Sequence, residues 1–443
     1  MRGVRARGAA FVGAHGLRGD LRRRRSGLCD CASVLPWIDD DYARALSEAK
    51  RKKIPIFAEL WAPWCHTCRS MRAFVFTDKA LSRNAGQFIW LSIDTEKEQN
   101  APFVKKFPNR AWPSYYVIDP NTETVSLRWV GGATVAQLRK FFHDGSRAAG
   151  GVADAALGKA DALYSAGDYE QAQLAYAEAL AGLSPKSPAY SRAVEARLYS
   201  LQTTRNYAEC VAFARTTLPS LAHTVSGATF AGAGLDCAAA LPSTAAGRSE
   251  AIAFFEPKVR AALADASLKL VADDRSALYG SLQSALDEGG DKAGAQKVAD
   301  EWVAYMDAEA ARAKTATQLT ALDPNRLNAF EAAGQAEKAI PMLEASEKAF
   351  PEDYNPPARL ALVYLWLKQY DTALAASDRA LARVYGPRKL RVLAVRADIY
   401  KGMGNAAAAK KTVEESLEYA EALPPGQRSE TTIAALKKQL EGS

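Results

Sequence analysis

The feature that most restricts this chain is a change of character at Gly150-Gly151. Before it, short apolar runs alternate with helical periods. After it strand signals vanish, alanine dominates, and apolar residues recur at helical spacing to about Leu423. A chain of 443 residues is also too long for one ordinary core. Two architectures in succession are therefore expected: a mixed α/β region over 36–146, then an all-α region over 150–425, with 426–443 as a terminal helix or tail.

A helical stretch of this length raises the question of repeats first. Tyr169, Ala172, Tyr176, Ala179 and Leu180 share their offsets with Tyr370, Ala373, Ser377, Ala380 and Leu381. The helix before each supplies Ala160 and Leu163 in one copy, Ala361 and Tyr364 in the other. Further copies read as Ala397/Tyr400/Ala409/Val413/Leu417 and Phe330/Ala339/Leu343 followed by Pro351, with a degenerate one at Leu198/Leu201/Tyr207/Cys210/Leu218. These offsets resemble the tetratricopeptide repeat, in which a helix pair cannot bury its apolar stripe alone and alanine lets stacked neighbours approach. The resemblance implies six or seven units forming a solenoid whose concave face binds peptides or helices. A generic helical array is the alternative, and residues 219–250, rich in Gly, Ser and Thr, should interrupt the register.

The net charge of +7 hints at a nucleic-acid surface, but its distribution argues otherwise. Ahead of Pro36, eight arginines (Arg2, Arg5, Arg7, Arg18 and Arg22 to Arg25) face two acids, Asp20 and Asp30, and so hold nearly all of it. The remainder is close to neutral, which leaves no basic face for nucleic acid. Residues 1–35 read as a disordered leader, or as translated sequence upstream of the true start, without the apolar stretch of a secretory signal; an organelle transit peptide is a further reading. No apolar run approaches the ~20 residues of a membrane span. The compartment stays open between cytoplasm and cell envelope.

From Pro36 the order is helix (Asp39–Lys53), strand (Ile54–Trp61), a Cys-x-x-Cys, helix (Arg69–Ala85), strand (Phe88–Asp94), helix, strand (Ser114–Asp119), strand (Thr124–Val130) and helix (Val135–Phe142). Six cysteines are too few for a disulfide scaffold, and only Cys65 and Cys68 have a spacing that suggests chemistry. A cysteine at a strand-to-helix junction has its thiolate stabilised by free N–H groups and the helix dipole. Cys65 is then an exposed nucleophile, and Cys68, one turn on, the more buried thiol that resolves the mixed disulfide. Zinc sites share this spacing but need two further ligands, which Cys29, Cys31, His15, His143 and His223 are poorly placed to give. Cys210 and Cys237 read as core residues, and Cys29 and Cys31 as mobile thiols with a relay role as the alternative.

The segment Phe57-Ala58-Glu59-Leu60-Trp61-Ala62-Pro63-Trp64-Cys65-His66-Thr67-Cys68 resembles the strand and active-site motif of the thioredoxin superfamily. Ala111-Trp112-Pro113-Ser114 is similar to the family's cis-proline loop, and Gly131-Gly132 falls where it has a glycine before the last helix. Phe74 to Leu81 and Ile93-Asp94 resemble the soluble domain of transmembrane disulfide reductases. Ala73 stands where thioredoxin has its helix-kinking proline, which favours those relatives.

The resemblance implies a thiol:disulfide oxidoreductase whose only redox group is the Cys65/Cys68 pair, with no further cofactor and no metal. It implies that Glu59 relays the proton of the resolving thiol, a strand acid satisfied by solvent being the alternative. Trp90 stands where thioredoxin has a lysine beside that acid, so a lysine-assisted route is in doubt. It also implies that Pro113 is cis and that Trp64 and Trp112 flank the substrate, though either tryptophan could be packing. His66 would tune the Cys65 thiolate, or is simply an exposed polar residue. Protein substrates or a partner redox protein are the expected partners. A repeat-based binding scaffold with a structural thioredoxin-like module is the competing function, and the direction of electron flow is not readable.

Overall fold

Ile56–Trp61 and Ile89–Asp94 are buried along their whole lengths, as a near-continuous apolar run requires when both faces of a strand are covered. They form β2 and β3 of a five-stranded sheet with the order β1-β3-β2-β4-β5. In the computed structural model, which describes residues 34–148, 155–187 and 189–441, β1 spans Trp37–Asp39, β4 Ser114–Ile118 and β5 Val125–Val130. Strands β1, β3 and β2 run parallel, and β4 and β5 pair antiparallel beyond them. Helices α1 (Tyr42–Lys52) and α3 (Ala101–Lys106) supply Ala45, Ala49, Phe103 and Phe107 to one core, with Ile56, Ala58 and Leu60. The other face packs Phe57, Trp90 and Tyr115 against α4 (Val135–Ala148) through Leu138, Phe141 and Phe142.

Two expectations for this region need correction. The segment before α1 is a strand rather than the start of the helix: Asp40 adopts a positive φ and Asp41 caps α1 by accepting the Arg44 N–H. Leu35, one residue ahead of the expected boundary at Pro36, is 3% exposed and lies in the aromatic core. The rest of the Arg-rich leader, with Cys29 and Cys31, lies outside the described residues. Finally, the helix expected over Arg69–Ala85 is broken in two. Helix α2 (His66–Ser70) widens into a π-helical turn at Met71–Val75, and a 3-10 turn over Lys79–Asn84 starts anew where Asp78 accepts the Ala80 N–H.

Beyond Ala155 the described residues are helical. Seven antiparallel pairs follow: α5 (Ala155–Ala166) with α6 (Tyr169–Ala181), α7 (Tyr190–Thr203) with α8 (Tyr207–Thr217), and α9 (Val225–Ala239) with α10 (Arg248–Ala264). Then come α11 (Ala272–Glu288) with α12 (Lys292–Arg312), α13 (Ala316–Ala332) with α14 (Ala339–Ala349), α15 (Asn355–Trp366) with α16 (Tyr370–Leu381), and α17 (Lys389–Gly402) with α18 (Ala406–Ala422). Helix α19 (Glu430–Glu441) covers the last pair. The alanines aligned in the sequence are the contact residues: Ala160, Ala172, Ala361, Ala373 and Ala397 are all buried.

The segment 219–250 does not interrupt the array. It contains α9, whose Gly227, Gly232 and Gly234 are buried among its neighbours. At Gly234 a Cβ would lie 2.4 Å from the Phe255 ring, so the small residues mark close helix contact rather than a loop. The reading of Cys210 and Cys237 as separate core residues also changes, since the two form a fully buried disulfide between α8 and α9. No helix among the described residues is long and apolar enough to cross a membrane.

Candidate active site

Strand β2 ends at Trp61, and Ala62-Pro63-Trp64 carries the chain to Cys65, the N-cap of α2. The Cys65 Sγ accepts the backbone N–H of Cys68 at 3.0 Å, and the two sulfurs are joined as a disulfide. Such donors at a helix start would favour a thiolate at Cys65 once the bond is opened. Cys65 is only 4% exposed and Cys68 is wholly buried, so Cys65 is less open than the exposed nucleophile its motif leads one to expect. Trp61, Ala62, Trp64 and Trp112 pack around the pair. The Trp112-Pro113 peptide bond is cis.

Glycine is required beside the site. Gly131 has a φ of 90° and donates its N–H to the Pro113 carbonyl at 2.8 Å. At Gly132 a Cβ would stand 3.1 Å from the Thr67 methyl group. Larger residues here would push the α4 end of the sheet away from the dithiol.

Glu59 is 1% exposed on β2, but it is not alone. Arg72, in the π-helical turn, reaches it with Nη2 2.8 Å from Oε2 and also donates to the Ser92 hydroxyl. The guanidinium lies 3.6 Å over the Trp61 ring. Burial lifts the Glu59 carboxyl above the usual range against the pull of Arg72. Trp90, at the place of the family's lysine, pairs in register with Phe57 and belongs to the aromatic core. The cation beside the acid thus comes from the helix. Arg72 was visible four residues past Cys68, but nothing in the sequence said that it turns back to β2.

The helical array sits directly on this site. Arg69 of α2 pairs with Asp353 at 2.6 Å, with both side chains almost fully buried. Burial works against the charge on Asp353, and Arg69 more than offsets it, holding that carboxyl below the usual range. Asn355 donates to the Pro63 carbonyl at 3.1 Å, and Ser70 donates to Asp273 Oδ1 at 3.1 Å. Asp273 Oδ2 lies 3.5 Å from His66 Nδ1. The Trp64 indole donates to Glu96 at 2.8 Å, Glu96 in turn accepts the backbone N–H of Arg388, and Tyr385 donates to Asp94 at 2.6 Å. Burial pushes the carboxyl of Glu96 up to about 7 and that of Asp94 up to about 6.

The sequence-derived site residues therefore divide. Cys65, Cys68 and Trp112 cluster with Trp64, but Trp64 also packs on Tyr354 and Val384 in the junction with the array. His66, Thr67 and Trp112, but neither cysteine, line a cavity of about 1010 Å3 that runs beside the dithiol to α7, α9 and α11 of the array. Asp273, Asp353 and Asn355 escaped the sequence reading, because side chains some 200 to 300 positions from the dithiol carry no local signal. Among the described residues no group of three or more His, Cys, Asp or Glu is placed to hold a metal ion.

Residues 37–120 match a family model described as thioredoxin-like, and residues 354–422, which hold α15 to α18, match a tetratricopeptide repeat model. The chain thus carries a thioredoxin-like domain followed by a tetratricopeptide-like helical solenoid. No curated protein matches it.

Proposed function

We propose that the protein is a thiol:disulfide oxidoreductase acting on protein clients, with the helical array recruiting or orienting them. The observation that carries this reading is the Cys65–Cys68 disulfide at the start of α2, packed beside the cis Trp112-Pro113 bond. In the reducing direction, the Cys65 thiolate attacks one sulfur of a client disulfide. A Cys65–client bond forms, and the other client sulfur leaves as a thiolate that takes up a proton. Cys68 then loses its proton, with Glu59 as the buried carboxylate assigned to receive it, and attacks Cys65 Sγ. The second client thiol departs, the client has gained two electrons, and the protein is left as its Cys65–Cys68 disulfide. An external dithiol resets it; an oxidant of the disulfide class would drive the sequence backwards.

The full-length Cys68→Ser variant tests the assignment, because without the resolving sulfur the Cys65–client bond should persist and be releasable by dithiothreitol. Reduction of insulin by the wild type should accompany it. If neither trapping nor insulin reduction were seen, the repeat-based scaffold reading would replace the enzyme.

A further inference from the structure

The cavity beside the dithiol, which begins at His66, Thr67 and Trp112, has walls of uneven charge. Six carboxylates and four arginines line its about 1010 Å3. Two arginines are neutralised in place, Arg192 by Asp161 and Arg312 by Glu309. Arg275 donates to the carbonyls of Leu263 and Asp265, and Arg128 lies over the Tyr116 ring.

No lysine or arginine pairs with the remaining acids; only Asp273 has a titratable base near it, His66 at 3.5 Å. Glu195 of α7 faces the Ser226 hydroxyl, Asp236 of α9 the Ser281 hydroxyl, and Asp274 of α11 the N–H of Val271. Asp273, beside the dithiol, is 8% exposed; its Oδ1 accepts from Ser70 and Asn325, while its Oδ2 makes no hydrogen bond and has only the His66 ring, 3.5 Å away, near it. A buried carboxylate oxygen in that state calls for a donor or a cation. Burial pushes Glu195 up to about 7 and Asp236 and Asp274 up to about 6, which is the expected response to charge held in a cavity without a counter-ion. Tyr164, Tyr199 and Tyr305 line the same space, and the Tyr305 ring already has the Arg275 guanidinium 5.8 Å from its centre, so aromatic rings are compatible with a cation there.

Resting on the oxidoreductase reading, we infer that this chamber selects cationic substrates: a short cysteine-bearing segment flanked by lysine or arginine, presented to Cys65 between the two domains. The volume suits a few residues of extended peptide and excludes a folded domain. Acidic walls of low dielectric concentrate a cation and repel an anionic disulfide. The exchange chemistry is unchanged; the chamber decides which disulfide reaches Cys65.

The test uses the full chain, reduced, desalted and mixed at pH 8 with cystamine (cationic), hydroxyethyl disulfide (neutral) or oxidised glutathione (anionic). Formation of Cys65–Cys68 is followed by the fluorescence of the adjacent tryptophans. Each rate is divided by that of free dithiothreitol with the same disulfide, which removes intrinsic reactivity. The normalised cystamine-to-glutathione ratio should exceed one by about tenfold or more. It should shrink several-fold in 0.5 M salt, as screening requires (the Debye length falls to roughly 4 Å). Glu195→Gln with Asp236→Asn should lower it as well, and the salt series on the wild type decides the matter if that variant does not fold. A ratio near one, with all three disulfides still reacting, overturns the selectivity and leaves the oxidoreductase reading intact. No reaction with any of them, while dithiothreitol reacts, overturns both.

Discussion

The molecule holds two disulfides that differ in almost everything but their bond. Cys65–Cys68 closes a single helical turn, lies next to a cavity lined by the adjoining His66 and Thr67, and sits among tryptophans and titratable groups. Cys210–Cys237 joins α8 to α9 across 27 positions, is no more than 1% exposed and lies in an aliphatic and alanine-rich core. A short loop gains little entropic stabilisation from its cross-link and is easily reopened, whereas a longer one constrains the unfolded chain. The comparison teaches that position decides the use of a disulfide. Under the proposed oxidoreductase function, the first would exchange and the second would hold.

Cys65→Ser should separate the two most sharply: disulfide exchange falls to background, measured by insulin turbidity, while the thermal midpoint barely moves. Next in size is the junction. Asp353→Ala strands the Arg69 guanidinium in a buried setting and should cost about 3–5 kcal/mol in urea unfolding. It should also raise the alkylation rate of reduced Cys65 as the array loosens from α2. Replacing Cys210 and Cys237 by alanine should cost about 2–4 kcal/mol by urea unfolding and leave insulin reduction of the surviving protein unchanged. Equal losses of activity from both cysteine pairs would erase the contrast.

The smallest effect concerns pH. Folding raises the Glu195 carboxyl to about 7, so the folded state holds its proton more tightly than the unfolded chain does. Stability from this group is present below the ordinary glutamate range, falls as pH climbs to about 7, and is flat above. Glu195→Gln should therefore raise the thermal midpoint at pH 8, by about 2–4 °C, and leave it unchanged at pH 4. A gain of the same size at both values would show that packing, not charge, is responsible.

Legibility in the sequence followed the range of the interaction. The dithiol and the order of the strands were readable because Phe57 to Cys68 and Ala111 to Ser114 are contiguous. Helix pairs were readable where alanine and tyrosine recur at fixed offsets, as at Tyr169 and Tyr370. Strand β1 was missed because three residues hold no period, and its pairing partner Trp90 lies far along the chain. The Cys210–Cys237 bond, the Ser70–Asp273 contact and the Arg72–Glu59 pair each depend on where the backbone has already folded. Composition misled at α9, where glycine looked like loop and serves close packing.

One junction has a mechanical result. Gln427, just past the last repeat pair, donates to the carbonyls of Thr95 and Lys97, while at the other end of the array Val130 of β5 packs into the core of α5 and α6. A stack of repeats ordinarily frays from its ends, each unit held only by its neighbour. Here the first and last units are both fastened to one globular body, so neither is free to peel. The spring has been made into a hoop, and melting must begin by unclasping it.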